Sequence, residues 1–187
     1  EPGYDPILQA STGIMDMTGE PDQAPVRLPI AVNDMGSGMW AAIGLLSALM
    51  ERHKTGHGCR VETSLFETAA WWMNYHVTSY LATGVSPVRC GTGTPWLAPY
   101  EAYPASDEGL MVCVGNDNLF QKFTEALQIP ELAADERFVT NPLRVKNRAE
   151  LRKLIAERFQ TRTAVEWEGL LKARSIPCSR IKTVADL

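Results

Sequence analysis

The sequence predicts an α/β layer followed by a small α+β domain, and three observations carry that prediction. Up to residue 84, short extended runs alternate with long helical ones. Between Ser86 and Pro99 the composition changes, with three prolines and two glycines in fourteen residues. Beyond that loop, two short extended runs lead into helices whose apolar residues fall on one face. At 187 residues the chain can hold one good-sized domain or parts of two, and its 45% apolar content can supply a core. It opens Glu1-Pro2-Gly3 without a methionine and ends at Leu187 inside a segment read as a new helix, so it reads as an internal fragment.

Residues 4–19 begin as a turn and continue as a short helix, since Pro6 suits a first helical turn and Gly13 and Gly19 punctuate the rest of the segment. Residues 20–29 are too rich in proline for a long regular element. A short apolar strand or extended piece, Ile30 to Val32, leads into a glycine-containing turn and then a long helix from about Met35 to Lys54. Asp34 stands at or just before its first turn, where aspartate is a favoured cap. From Trp40 to Met50 only Ser47 carries a polar group, which predicts a helix buried on most sides. That apolar run is too short for a bilayer, which takes roughly 20 residues.

Cys59 to Leu65 alternates like a half-buried strand, and a bulky helix follows from Phe66 to Ala82, stopped by Thr83-Gly84. Trp71, Trp72, Tyr75 and His76 are read as packing residues on it. Strands are expected at Tyr100–Pro104 and Leu110–Gly115. Helices are expected at Asn116–Leu127, Val145–Phe159 and Ala164–Ala173, the last capped by Thr163. Ile176 to Ile181 reads as extended, and Thr183 as the cap of a further helix.

Charge and cysteines narrow the function classes. Residues 1–134 carry 6 basic and 15 acidic side chains (net −9), and residues 135–187 carry 12 and 7 (net +5). The basic end alternates in sign along helical patterns, as solvated helices do, so neither nucleic acid nor membrane is an expected partner. Cys59, Cys90, Cys113 and Cys178 are scattered without a CxxC pair, which fits reduced thiols and a cytoplasmic location. His53, His57 and Cys59 do not share a helix face, because Thr55-Gly56 intervenes, and no carboxylate completes a metal set.

Several blocks occur in a telling order: GYDPILQASTGIMDMTGE at 3–20, NDMGSG at 33–38, ERHKTGHGCRVETSLFETA at 51–69, YLATGVSPVRCGTGTPWLAPYEAYPASDEG at 80–109, VGNDNLF at 114–120 and RFVTNPLRVKNRAEL at 137–151. Together they resemble the middle of a class III CoA-transferase. That family contains the carnitine and formyl-CoA transferases and also the 2-methylacyl-CoA racemases. The resemblance spans essentially the whole chain. It implies part of a Rossmann-like large domain over residues 1–65, a linker helix over 66–90 and a small α+β domain over 91–187. It also implies an interlocked homodimer, acyl-CoA and carboxylic acids as substrates, and no permanently bound cofactor or metal.

The same resemblance makes Asp34 the nucleophile and gives Tyr4 and Asp5 catalytic places, where they would hydrogen-bond acyl or carboxylate groups. The positive end of a helix favours a negative charge beside it. Backbone N–H groups of Met35–Gly38 would steady an oxyanion, with Gly36 and Gly38 letting a thioester approach. Gly91 and Gly93 stand where relatives carry a glycine-rich flap, and that segment reads equally as a lid and as a plain interdomain loop. Met15, Met17, Met35 and Met39 could line an acyl pocket or simply pack the core. The racemases carry histidine where Tyr4 stands, and a phenol with an unperturbed pKa of about 10 is a poor base near neutral pH. The expected activity is therefore transfer of coenzyme A through an aspartyl-CoA thioester. A racemase-type α-proton transfer and a catalytically silent dimerisation fragment remain the alternatives.

Overall fold

The computed structural model describes residues 3–187, with Glu1 and Pro2 outside the described residues. The chain forms two compact units, Glu1–Gly91 and Thr92–Leu187, and the break falls inside the proline- and glycine-rich loop.

Unit one is helical. Helix α1 (Asp5–Ser11) has Pro6 in its first turn, and Gly13, at φ 88°, separates it from α2 (Ile14–Met17). After the irregular proline-rich segment, α3 runs over Val32–Thr55 and stops at Gly56, whose φ of 75° is the left-handed conformation that favours glycine at a helix end. Next come α4 (Leu65–Trp72), capped by Ser64 on the Glu67 N–H, and α5 (Asn74–Thr83), stopped by Gly84. Met73 interrupts what the sequence predicts as one helix.

Two expected strands are absent. Val32 already belongs to α3, and residues 57–64 are irregular. Alternation over so short a run forms a strand only where a partner strand can pair with it, and none is present among the described residues of this unit. Helix α3 also differs from the expectation of burial on most sides. Only Asn33 and Gly36 are buried along it, while Met35, Met39, Leu46 and Met50 are each more than 60% exposed. The small cluster of Ile14, Ala69 and Met73, with Met17 and Leu28 against it, is the buried apolar centre of this unit.

Gly36 shows how closely α3 and α4 approach. A Cβ there would lie 2.6 Å from a Trp72 ring carbon and 2.7 Å from the Thr68 methyl, while Gly38 has nothing within 4 Å. Gly36 is thus a packing glycine.

Unit two has its own core. Strands β1 (Tyr100–Pro104), β2 (Gly109–Cys113) and β3 (Cys178–Arg180) form an antiparallel sheet in that order, with Tyr100 opposite Cys113 and Leu110 opposite Arg180. Helices α6 (Asp117–Ala126), α7 (Glu131–Ala134), α8 (Asn141–Lys146), α9 (Arg148–Phe159) and α10 (Ala164–Lys172) pack with it. Phe159 is central: Tyr103 stacks on it at 5.3 Å and Trp167 meets it edge-on at 5.4 Å, donating its indole N–H to the Phe159 carbonyl. Burial pushes the Tyr103 phenol well up, helped by Glu101 beside it. Asn116 caps α6, and Thr163 forms a full capping box with Glu166 at α10.

Two outcomes test this packing. Gly36→Ala should cost about 1–3 kcal/mol by overpacking, whereas Gly38→Ala should stabilise by up to about 1 kcal/mol. Equal denaturation midpoints would contradict the packing assigned to Gly36. In unit two, the Ala164 and Thr163 N–H groups hold Asp107 and Glu166 below the usual carboxylate range, and Arg137 holds Asp135 at about 2. Depressed folded values give stability that is present above the unfolded values, about 4, and is lost as pH falls through the folded ones. Urea midpoints should therefore fall between about pH 5 and pH 2, less steeply in Glu166→Gln. A flat profile would contradict the assignment.

Candidate active site

The question posed by Asp34 is whether it caps its helix or is free to react. An α-helix leaves its first four N–H groups without intrahelical partners, and a cap side chain accepts from the second or third helical residue. At α3 the cap position is Ala31, which has no side-chain acceptor. The N–H groups of Asn33 and Asp34 instead donate to one oxygen of Asp5, at 2.6 and 3.4 Å. The Met35 N–H donates to the Ala31 carbonyl. Asp34 is the third residue of the helix and is exposed, and among the described residues nothing hydrogen-bonds to its carboxylate. The cap of α3 is Asp5, supplied from another helix.

This corrects one detail of the expected site. The helix starts at Val32, so the N–H groups of Met35 to Gly38 are already inside the i→i−4 ladder and are not available to an oxyanion. The adjacent residues Tyr4 and Asp5 also lie in opposite surroundings. Tyr4 precedes α1 and is 82% exposed, whereas Asp5 is 2% exposed with both oxygens engaged.

Around them, Met17 lines a cavity of about 160 Å³ with Ile14, Leu28, Val32 and Trp72, while Met35 and Met39 face outward. Gly91 has φ 57° and donates its N–H to the Gly19 carbonyl at 3.0 Å, with the Glu20 carboxylate where a Cβ would be. Gly93 belongs to unit two. Among the described residues no cluster of three or more His, Cys, Asp or Glu is arranged to hold a metal ion, and no helix is long and apolar enough to cross a membrane. All four cysteines are free.

The RFVTNPLRVKNRAEL stretch has a clear task inside unit two. Arg144 is wholly buried and donates to the Ala98 carbonyl (2.7 Å), the Phe138 carbonyl (3.0 Å) and the Asp117 carboxylate (2.7 Å), with its guanidinium over the Phe120 ring. Asn141 bonds Trp96 and Ala98, and Arg148 bonds the carbonyls of Thr94 and Leu97. Residues 94–98 are therefore pinned from within the unit.

The chain belongs to CoA-transferase family III, whose model matches residues 1–187. Among its relatives, the acetyl-CoA:oxalate CoA-transferase of Acetobacter aceti is 33% identical over 99% of this chain and 48% of that protein. The succinyl-CoA:glutarate CoA-transferase of Mus musculus is 32% identical over 99% of this chain and 42% of its own. The crystal structure of a CAIB/BAIF family protein from Brucella suis superposes with a TM-score of 0.82 at 40% identity, covering 98% of this chain and 49% of that one. The chain thus spans about half the length of the curated relatives it matches.

Arg144→Met should lower the stability of unit two by about 3 kcal/mol, since it strands buried acceptors. Arg144→Lys should recover little, because one ammonium cannot reproduce the fork. A loss below about 1 kcal/mol in denaturant unfolding would contradict the bracing role.

Proposed function

We propose that the whole protein transfers coenzyme A from an acyl-CoA to a small carboxylic acid, with Asp34 as the covalent carrier. The observation that carries this reading is the division of labour at the mouth of α3. Capping is performed by Asp5, which leaves an exposed carboxylate without partners on the first turn of a long helix, at the place where the family resemblance sets the nucleophile. The names of the relatives, with oxalate and glutarate as acceptors, support a carboxylic acid as the second substrate.

The chemistry is a double displacement. An Asp34 oxygen attacks the acyl carbonyl carbon of the thioester, the C–S bond breaks, and CoA thiolate leaves a mixed anhydride. The thiolate then attacks the aspartyl carbonyl, forming a new C–S bond and releasing the donor acid as its carboxylate. An acceptor carboxylate attacks this aspartyl-CoA thioester, expelling thiolate and forming a second anhydride. Attack of thiolate on the acceptor's carbonyl gives the new acyl-CoA and restores Asp34. Every stage holds one activated acyl bond, either a thioester or an anhydride, and one thioester is consumed for each one made, so the exchange needs no external energy source.

A transferase fits Tyr4 better than a racemase does, because a phenol does not readily accept an α-proton near neutral pH. The Rossmann-like large domain and the interlocked homodimer are part of the same proposal. They are supported by the exposed apolar residues of α3 to α5, where Trp71, Tyr75 and Leu81 each stand more than half exposed. Cytoplasmic location is proposed from the four free cysteines. Gly91 and Gly93 are proposed to border the substrate, with Gly38 giving the thioester open backbone.

Incubating the full-length protein with acyl-CoA and then hydroxylamine should leave a hydroxamate on Asp34, detected by peptide mass mapping. Asp34→Ala should lose transfer by about 10³-fold or more, and no α-proton of the acyl group should exchange with deuterated water. Unchanged transfer in Asp34→Ala without an adduct would sink the mechanism.

A further inference from the structure

Helix α3 begins under poor local conditions. It has no cap of its own, and its second turn contains Gly36 and Gly38, each about 1 kcal/mol less favourable than alanine. The geometry of its first turn therefore depends on Asp5, which reaches it across 28 residues of sequence. Asp5 in turn sits on the first turn of a seven-residue helix and needs a partner to fix its carboxylate. That partner is Gln9, one turn further along α1.

The Gln9 amide is completely buried. Its nitrogen donates to the second Asp5 oxygen at 2.6 Å, and its oxygen accepts from the Leu28 N–H at 2.8 Å. The same nitrogen lies 3.4 and 3.3 Å from the carbonyls of Leu28 and Ile30. One side chain thus grips both the cap of α3 and the segment that leads into it. Only an amide offers a donor and an acceptor in that arrangement. A glutamate would set two carboxylates against each other, and an aliphatic residue would strand Asp5 and the Leu28 N–H.

We propose that Gln9, acting through Asp5, is a positioning residue for CoA transfer. The pair fixes the first turn of α3 and so the direction in which the Asp34 carboxylate leaves it, while neither residue touches substrate. This deepens the proposed function and rests on Asp34 being the nucleophile. Covalent catalysis is sensitive to such placement, since a misplacement of about 1 Å costs on the order of 100-fold in rate.

The test uses the full-length protein in the acyl-CoA to carboxylate exchange assay, with rates expressed per folded site. Gln9→Ala should lower kcat by about 10- to 100-fold with KM for acyl-CoA changed by less than about threefold. Asp5→Asn places an amide NH2 against the NH2 of Gln9 and should be equally impaired. Combining it with Gln9→Glu again faces a donor with an acceptor, and should recover at least about tenfold of the lost kcat. A merely structural role would lower the melting temperature or the folded fraction without moving kcat per folded site, and would give no recovery in the exchanged pair. Wild-type kcat in Gln9→Ala, or no recovery in Asp5→Asn/Gln9→Glu, overturns the proposal. If Gln9→Ala does not fold, the exchanged pair decides alone. Asp34→Ala run alongside separates the two claims. If it retains transfer, the nucleophile reading fails. If it is dead while Gln9→Ala is unaffected, only the positioning role fails.

Discussion

The bond between the Asp5 carboxylate and the first-turn N–H groups of α3 is the constraint on which unit one depends. A buried carboxylate is tolerated only when its oxygens are satisfied, and here one faces the helix mouth while the other faces Gln9. A hydrogen bond to a charged group contributes roughly 1.5–3 kcal/mol, enough to decide where a helix with a glycine-bearing second turn begins. The same bond ties α1, the Leu28–Ile30 segment and α3 into one corner. It also relieves Asp34 of capping. An aspartate that closed its own helix would have its oxygens turned back onto the backbone, whereas Asp34 projects from a turn that is already closed.

The two units reach stability differently. Unit two buries a contiguous apolar core around Phe159 and braces its loop with Arg144. Unit one has a buried apolar cluster of three residues, with long helices that present methionine, leucine and tryptophan outward. Such a surface is costly to leave in water, at about 25 cal/mol per Å². It matches a chain that spans about half the length of its relatives. The apolar run of α3 has the pattern of a helix suited to burial, yet Ile43, Leu45 and Leu46 are each more than half exposed.

Local signals could be read from the sequence. Thr163 caps α10 and Thr183 the single turn Val184–Asp186, because a cap needs only its own neighbours within three residues. Tyr100–Pro104 forms β1 as expected, since alternation there has a partner strand a tight turn away. Cys59 to Leu65 carries the same kind of pattern and Ile30 to Val32 a short apolar run, both without a partner among the described residues, and they are not strands. The position of Asp34 at a helix mouth was legible, but the identity of its cap was not. An aspartate beside the helix start is the expected cap, and nothing local says that one 29 positions earlier has taken the task. Gln9 stands on a short helix, where one polar residue carries no signal until the fold brings Leu28 and Asp5 to it. Gly36 likewise reads as an opening for substrate, and only the Trp72 ring reveals its packing reason.

Oxygen transfer tests the central claim most directly. In the double displacement, the oxygen that bridges the second anhydride comes from the acceptor carboxylate and remains on the aspartate when thiolate takes the acyl group. Turnover of the full-length protein with an ¹⁸O-labelled carboxylate acceptor should therefore add about 2 Da per oxygen to the peptide containing Asp34, and none to the peptide containing Asp5. Label on Asp5, or turnover that leaves Asp34 unlabelled, would contradict the account.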